Sequence, residues 1–203
     1  RGAVRRQGSI LGSMRQMSHT HFPAVLTSNF LVIMAFSIMT ATFVIWTGKE
    51  LHYTQKQTGL LFGFIGIIAI FIQGGLIRRI AKNGNEAKLA LAGAISMVVS
   101  LGLLPLSGVL PALLGVTALM SVGNSLTTPT LNTLASRCGT LQNQGETMGA
   151  MSGAGSLGRF LGPFMAGWVL QFAPGRYDFA FWLATAFMVC AAAAILRIRI
   201  KAP

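Results

Sequence analysis

Arg159 is the residue whose position most suggests chemistry, because it is the one charge predicted deep inside a long apolar stretch, here 145–171. In a helix that begins at 145 it lies about 14 residues, or about 21 Å, from the start. An arginine at the bilayer centre costs roughly 2.5–3.5 kcal/mol even on the lenient insertion scale, so its guanidinium must face water or a partner. Two roles remain open. It is either a cavity residue that binds an anionic substrate or pairs with a carboxylate, or a structural charge satisfied by helix carbonyls or by an acid outside this chain.

Glu146 stands in the first turn of the same stretch. It is about 13 residues from Arg159, roughly 20 Å along a helix, which is too far for a direct ion pair. A carboxylate at a helix N-terminus is stabilised by roughly 0.3–1 kcal/mol, so capping accounts for Glu146 without a further role. Because it stands at the edge of the stretch, it is a poor candidate for a proton carrier.

Glycines recur at helical spacing in two of the apolar stretches. They are Gly145, Gly149, Gly153, Gly158 and Gly162 in 145–171, and Gly59, Gly63 and Gly66 in 58–77. Glycines four residues apart form a groove without side chains, against which another helix can pack closely. Pro163, directly after Gly162, can also kink its helix because it has no backbone N–H to donate.

Six apolar stretches, each long enough to cross a bilayer, position these residues. A hydrocarbon core of about 30 Å needs about 20 apolar residues in a helix, because lipid cannot pair with backbone polar groups. The stretches are 23–47, 58–77, 89–106, 110–134, 145–171 and 179–196. The sequence therefore predicts an all-α membrane protein, with a six-helix transmembrane domain, 23–203, after a basic cytoplasmic linker, 1–22.

The net charge of +12 would also suit a nucleic-acid-binding protein, but the basic residues are placed otherwise. If the stretches alternate across the membrane, twelve basic residues fall on one side and three on the other. The twelve are Arg1, Arg5, Arg6, Arg15, Arg78, Arg79, Lys82, Lys88, Arg137, Arg197, Arg199 and Lys201, and the three are Lys49, Lys56 and Arg176. This asymmetry is the positive-inside pattern. We therefore predict a multi-pass protein of the cell (inner) membrane with both termini cytoplasmic and no nucleic-acid partner.

Motifs of several other classes are absent from the sequence. There is no Asn-Pro-Ala pair as in water channels, no threefold Pro-x-Asp/Glu-x-x-Lys/Arg as in mitochondrial carriers, and no Gly-x-x-x-x-Gly-Lys-Ser/Thr nucleotide loop. Cys138 and Cys190 are predicted too far apart to form a disulfide or a metal site. We expect neither enzyme activity nor a cofactor or metal.

Three patches of residues follow one another in a definite order. The first patch runs from Gln57-Thr58-Gly59 through Gly63 and Gln73-Gly74-Gly75 into the basic loop Arg78–Lys88. The second patch comprises Gly123, Pro129 and Ser136. The third patch runs from Gln144-Gly145-Glu146 through Ser156-Leu157-Gly158-Arg159 to Gly162-Pro163 and Gly167. Together they resemble the C-terminal half of a major facilitator superfamily transporter, most nearly the drug-proton antiporter branch that includes the tetracycline exporters.

This resemblance implies half of a twelve-span fold, made of two three-helix repeats of inverted topology. It implies that the helices at 58–77 and 145–171 face the other half and slide against it. The residues it assigns to packing and gating between the halves are Gly63, Gly145, Glu146, Gly149, Gly158, Gly162 and Pro163. For the glycines, ordinary close packing inside this bundle is the alternative.

The resemblance also implies that polar residues of the first and fourth stretches line a central path. They are Ser28, Asn29, Ser37 and Thr40 in the first stretch, and Asn124, Thr127, Thr128 and Asn132 in the fourth. Gln73, in the second stretch, could either line this path or make a hydrogen bond between helices. Pro129 breaks the fourth helix beside Asn124, which would free carbonyls for substrate or water. The alternative for each is an interhelical hydrogen bond, worth only about 0.6 kcal/mol on average.

The function implied by the resemblance is secondary active transport, most nearly the proton-coupled export of small amphipathic molecules. The partners would be the lipid bilayer, a first six-helix half from the same gene or a separate chain, the substrate and protons. Uptake of an anionic metabolite, anchored by Arg159, is the alternative within the transporter class. A non-transporting scaffold or assembly subunit of a larger complex is the alternative outside it, since no stretch carries a carboxylate at its middle.

Overall fold

The computed structural model describes residues 21–76, 85–139 and 143–198. The predicted linker therefore lies outside the described residues except for its last two, and so does most of the basic loop Arg78–Lys88. Six long α-helices are described: α1 (Phe22–Lys49), α2 (Gln55–Phe71), α3 (Glu86–Leu103), α4 (Leu110–Cys138), α5 (Gln144–Phe172) and α6 (Tyr177–Leu196). A π-helical turn, Ile72–Leu76, extends α2, and a 3₁₀ turn, Leu104–Leu106, follows α3.

Each helix corresponds to one predicted apolar stretch, and all except α4 begin before it. The α-helical parts of α2 and α3 end before their stretches do, and the π and 3₁₀ turns continue them to residues 76 and 106. α2 begins at Gln55 because Thr54 and Gln57 form a capping box, in which Gln57 Oε1 accepts from the Thr54 N–H at 2.8 Å and Thr54 Oγ1 accepts from the Gln57 N–H at 3.4 Å. α1 and α4 have a proline in the first turn, where no N–H is needed. Hydropathy marks only the lipid-embedded part of a helix, so it misses these ends.

Five of the six helices are long and apolar enough to cross a membrane by length and hydropathy alone. α5 has 29 residues but is not among the five. Its glycines and serines, together with Arg159, lower its hydropathy, so composition does not identify it as a span. Five of the predicted spans therefore meet the criterion of length and hydropathy. That α5 also crosses the membrane stays a prediction.

The helices form one bundle in which α1 packs against α5 and α6, and α3 packs against α4 and α6. Fully buried side chains from four of these helices fill the core, among them Ile38, Met97, Leu131 and Met188. α3 and α4 meet at Gly93 and Gly123, where a Cβ on either glycine would be 2.7 Å from the carbonyl oxygen of the other. Such close contact provides the van der Waals energy that holds helices together in lipid.

α2 is the least buried of the five apolar helices: 11% of its span lies inside the protein, against 50% for α1. Two hydrogen bonds connect it to α4. Ser121 Oγ donates to the Ile65 carbonyl at 2.7 Å, and Gln73 Nε2 donates to Ser125 Oγ at 3.4 Å. Near the first turns of the two helices a cavity of about 350 Å³ separates them. A broad face of α2 is thus left without a protein neighbour among the described residues.

All three tryptophans and both tyrosines of the chain lie toward one end of this bundle. They are Trp46 at the end of α1, Tyr53 before α2, Trp168 near the end of α5, and Tyr177 and Trp182 in the first turns of α6. Trp168 and Trp182 are 57% and 48% exposed. Amphipathic rings of this kind favour the membrane–water interface.

Candidate functional site

A cavity of about 700 Å³ lies between α1, α4 and α5. Its lining consists of Ile33, Phe36, Ser37, Thr40, Ala41 and Val44 from α1, Asn124 and Thr128 from α4, and Arg159 and Pro163 from α5. Small-molecule sites usually measure about 300–1,000 Å³ and combine an apolar lining with a few polar groups. This cavity has both properties, which makes it the candidate site.

Arg159 lies near the middle of α5 and its side chain is exposed at this cavity. It makes no ion pair with any acid in the described part of the chain, where the ion pairs are Arg137–Glu86 and Arg176–Asp178. The guanidinium lies over Gly155, one turn earlier, since a Cβ at that position would be 3.5 Å from Arg159 Nη2. The placement is the one that the cavity role requires, and the role itself stays a prediction.

Asn124 and Thr128 lie one turn apart on α4, and Thr128 Oγ1 donates a hydrogen bond to Asn124 Oδ1 at 3.2 Å. Pro129 has no N–H, so the helix cannot supply the usual partner of the Ser125 carbonyl. Pro163 has the same effect on the carbonyl of Arg159 in α5. Both helices nevertheless run unbroken past the proline, so the break predicted at Pro129 is not seen in α4. Each proline removes one backbone hydrogen bond beside the polar cavity residues of its helix.

The structure places two predicted cavity residues, Asn29 and Gln73, outside this lining. Asn29 is buried, and its Nδ2 donates to the Met151 carbonyl of α5 at 3.1 Å, so it joins two helices. Gln73 is exposed near the end of α2 and bonds to Ser125 of α4. Both make the interhelical hydrogen bonds that were the alternative to a cavity role.

The other polar residues predicted along the path divide between cavity and interior. Ser37 and Thr40 line the cavity. Ser28 and Thr127 are buried and donate to carbonyls of their own helices at 2.7 and 2.8 Å, so their hydroxyls are satisfied locally. Asn132 is exposed on α4 and is not part of the lining.

The residues of the apolar wall of the cavity were missed by sequence reasoning, which named only polar side chains as its lining. The lining residues of α1 are 33, 36, 37, 40, 41 and 44. These positions follow the spacing of a single helix face, on which Ser37 and Thr40 alternate with Ile33, Phe36, Ala41 and Val44. Ser37 and Thr40, the two polar residues of that face, were the signal in the sequence from which the apolar wall could have been found.

The glycines of α5 fall on two different faces. Gly155, Gly158 and Gly162 lie against α1, where a Cβ would be 2.8 Å from Ile33 Cδ1, 3.0 Å from the Phe30 carbonyl oxygen and 2.5 Å from Ser37 Cβ, respectively. For Gly158 and Gly162, the structure thus gives the packing inside the bundle that was the alternative. A Cβ on Gly145, Gly149 or Gly153 would meet no atom within 4 Å, and the same holds for Gly63 on α2.

Arg159 lies near the middle of its helix, whereas Glu146, Glu86 and Arg137 lie at helix ends. Glu146 is exposed in the first turn of α5, as its sequence position predicted. Glu86 is buried at the start of α3 and forms an ion pair with Arg137 in the last turn of α4. This ion pair, which sequence reasoning missed, fixes the ends of two helices to each other.

Comparison with known proteins matches residues 25–203 to the Major Facilitator Superfamily. Major facilitator superfamily domain-containing protein 10 of Mus musculus is 32% identical over 171 residues, which cover 82% of this chain and 35% of that protein. The Homo sapiens protein of the same name is 28% identical over 183 residues, or 90% of this chain and 38% of that protein. The chain therefore spans well under half the length of these relatives.

A solved structure agrees with this match at the level of the fold. The human organic anion transporter MFSD10 (TETRAN) superposes with a TM-score of 0.79 at 24% sequence identity. The superposition covers 96% of this chain and 43% of that one. Together with the match along nearly the whole sequence, it shows that this chain belongs to the major facilitator superfamily.

Proposed function

We propose that the chain is one six-helix half of a secondary active transporter that moves small amphipathic molecules with a negatively charged group. The observation that carries this proposal is the cavity between α1, α4 and α5, in which Arg159 faces an otherwise mostly apolar lining. A charge at the middle of a transmembrane helix is costly, so an arginine kept at a cavity is expected to serve a ligand. The cavity is large enough for a molecule of drug size.

The arrangement of the helices supports the proposal that this is half of a larger fold. In two inverted repeats, α1, α2 and α3 would correspond to α4, α5 and α6. The packing agrees with this correspondence, because α1 contacts α5 and α6, and α4 likewise contacts α2 and α3. In that fold the binding site forms between two such halves. The open glycine faces of α2 and α5 are then the surfaces at which the other half packs.

The charge of the substrate is proposed from Arg159 and is compatible with the name of the structural neighbour, an organic anion transporter. Glu50, Glu86, Glu146 and Asp178 are the four acids of the chain, and none of them lines the cavity. A ligand anion is therefore the available counter-charge within this half. The apolar wall of α1 would hold the remainder of the molecule.

Proton coupling is part of the proposal, with export as the proposed direction and uptake as the alternative. Because the four acids stand near helix ends, any proton-carrying carboxylate at membrane depth must come from the other half. A scaffold without transport activity would have no use for a charged cavity. That makes the cavity the feature that separates the transporter from the scaffold proposal.

The proposal is tested by transport of two probes with the same apolar body, naphthalene-2-carboxylate and naphthalene-2-carboxamide. The complete transporter, with both halves present, is reconstituted in proteoliposomes with an imposed pH gradient. We expect Arg159→Ala to lower kcat/KM for the carboxylate about 10–100-fold, the loss expected when a hydrogen-bonded charge partner is removed. Arg159→Lys should restore part of it, since it keeps the charge without the planar fork.

The carboxamide serves as the matched control, because it lacks the charge but keeps the shape. Equal losses for both probes in Arg159→Ala would indicate a structural role for Arg159. Uphill carboxylate movement that collapses with the pH gradient, and that exceeds the passive movement in protein-free liposomes, would support proton coupling. If the unmodified transporter moves neither probe nor any other anion tested, the scaffold alternative is favoured.

A further inference from the structure

A second cavity, of about 350 Å³, lies between the first turns of α2 and α4, at the end of the bundle that carries the tryptophans and tyrosines. Leucine and phenylalanine side chains and two polar residues line it: Tyr53, Gln57, Leu60, Leu61, Phe64, Leu110 and Leu114. The polar residues come first along the α2 wall. From Gln57 to Phe64 this wall is roughly 10 Å long, about two-thirds of a hydrocarbon leaflet of about 15 Å. The α2 wall is therefore polar near the membrane surface and apolar below it.

Gln57 presents a hydrogen-bond donor at the polar end of this cavity. Its Oε1 accepts from the Thr54 backbone N–H at 2.8 Å, in the capping box of α2. Because a backbone N–H can only donate, the atom that faces it must be the amide oxygen, which fixes the orientation of the amide. The group that Gln57 can offer to a ligand is then its NH₂. The hydroxyl of Tyr53 is a second donor in the lining.

Lys56 adds a positive charge beside the polar end. It is exposed, one turn before Leu60 on the same face of α2. The ion pairs in the described part of the chain do not include it. Glu50, the acid nearest to it in sequence, is exposed at the C-terminus of α1. Two neutral donors and one ammonium group together fit an anionic group with several oxygen acceptors.

The cavity lies nearly opposite the open glycine face of α2. Leu61 is two residues from Gly59 and from Gly63, and Phe64 is two residues from Gly66. Two residues turn a helix by about 200°. A second half that packs on the glycines therefore leaves the Leu61 and Phe64 side of α2 uncovered. The bilayer is then the neighbour available to fill the cavity.

We propose that this cavity holds one acyl chain of a phospholipid from the leaflet at this end of the bundle, with the phosphate bound by Tyr53, Gln57 and Lys56. A phosphodiester has oxygen acceptors, a negative charge and no donor, which matches these three groups. Phosphatidylglycerol should bind better than phosphatidylcholine, whose choline brings a second positive charge close to Lys56. The chain also supplies apolar contacts to α2, of whose span only 11% is buried in the protein. The inference does not depend on transport, because a scaffold subunit would bind the lipid equally.

Photolabelling of the complete transporter tests the acyl-chain site. The protein is placed in phosphatidylcholine nanodiscs that contain phosphatidylglycerol with a diazirine on one acyl chain, and labelled residues are mapped by mass spectrometry. We expect labelling of the cavity walls in α2 and α4 that unlabelled phosphatidylglycerol competes away. Leu114→Trp, which narrows the cavity, should lower this labelling about tenfold, as expected when about two methylenes of the chain lose their apolar site. Leu119→Trp, at an exposed position of α4 outside the lining, should leave it unchanged.

Lys56→Gln tests the head group and, at an exposed position, does not disturb the buried wall. The affinity for phosphatidylglycerol, measured by competition with the label, should fall about fivefold, the effect of one lysine beside an anionic lipid. The affinity for phosphatidylcholine should change little. Lys88→Gln removes the same charge at an exposed position at the opposite end of the bundle and should have no effect.

Three results would overturn the inference. Labelling that unlabelled lipid does not compete away, or that is equal in Leu114→Trp and Leu119→Trp, would show contact with bulk lipid only. Unchanged phosphatidylglycerol affinity in Lys56→Gln would remove the head-group contact, and this variant decides the test if Leu114→Trp does not fold. If naphthalene-2-carboxylate removes the label and unlabelled phosphatidylglycerol does not, the cavity is a site for a small soluble anion rather than for a lipid.

Discussion

Glu86 and Arg137 form an ion pair whose two members differ sharply in exposure. The Glu86 side chain is 2% exposed and that of Arg137 is 46% exposed. Removing one partner of a buried pair is costly mainly because the other charge stays buried without compensation. The carboxylate, which water does not reach, should therefore depend on the pair much more than the arginine does.

We expect Arg137→Met to destabilise the protein more than Glu86→Gln. The first leaves a buried carboxylate unpaired, with a cost of about 3–5 kcal/mol, whereas the second leaves an arginine that water can still solvate. The double variant Glu86→Leu with Arg137→Met should recover most of the loss. Thermal unfolding of the detergent-solubilised protein measures this, with Lys88→Met at a nearby exposed position as the control. Equal effects of the two single variants would contradict the argument.

The residues of the site were predictable to different degrees. Arg159 could be found because a charge in an apolar stretch needs an explanation, and Asn124 with Thr128 because they are polar residues beside Pro129 in another such stretch. Asn29 looked equivalent in sequence, but its partner is the Met151 carbonyl on another helix. Which face of α1 a polar residue occupies depends on the neighbours of α1, and no local pattern reports those.

The glycines of α5 show how helix geometry separates two surfaces. From Gly153 to Gly158 the spacing is five residues rather than four, and five residues at about 100° each turn the helix by about 140° past a full turn. The two series therefore point in different directions: Gly158 and Gly162 toward α1, and Gly145, Gly149 and Gly153 away from it. The spacing was visible in the sequence, but only the structure shows which face meets α1.

This division leads to opposite expectations for a methyl group on each face. Gly162→Ala places a Cβ 2.5 Å from Ser37 Cβ, so it should destabilise the bundle by about 1–3 kcal/mol, as overpacking does. Gly149→Ala meets no atom and should leave the melting temperature unchanged or slightly higher, while lowering transport if the other half packs there. Melting temperature and probe transport, measured for both variants, distinguish the two surfaces. A Gly149→Ala variant with normal transport would remove the interface proposal for that face.

For the whole molecule, the helices and the family were predictable because both depend on long, repeated features. Apolar stretches mark helices in lipid regardless of how they pack, and the ordered glycine and proline patches sit on those helices. The exception is α5, which is too polar to qualify as a span by hydropathy alone. α5 is polar because it carries the glycines that contact α1 and the arginine that lines the cavity. A hydropathy average counts these residues only as a loss of apolar character.

The orientation in the membrane is predicted from the positive-inside pattern. It places the start of α1 in the cytoplasm, and the end of the bundle that carries the tryptophans and tyrosines on the other side. With Cys138 and Cys190 replaced by serine, we expect Gly108→Cys to react with an impermeant maleimide in intact cells. Asn85→Cys, at the other end of α3, should react only after permeabilisation. Both positions are exposed, so the reverse labelling pattern would overturn the predicted topology.

The described lining of the cavity that holds Arg159 comes from α1, α4 and α5 alone, and this affects which mutations can change its selectivity. If the opposite wall comes from another half, changes in that half alter the fit of a substrate without changing any residue of this one. Second-site suppressors of an Arg159→Ala defect would then accumulate outside this chain, as new positive charges facing the same space. Two homologues with identical cavity residues in this half can thus carry different molecules.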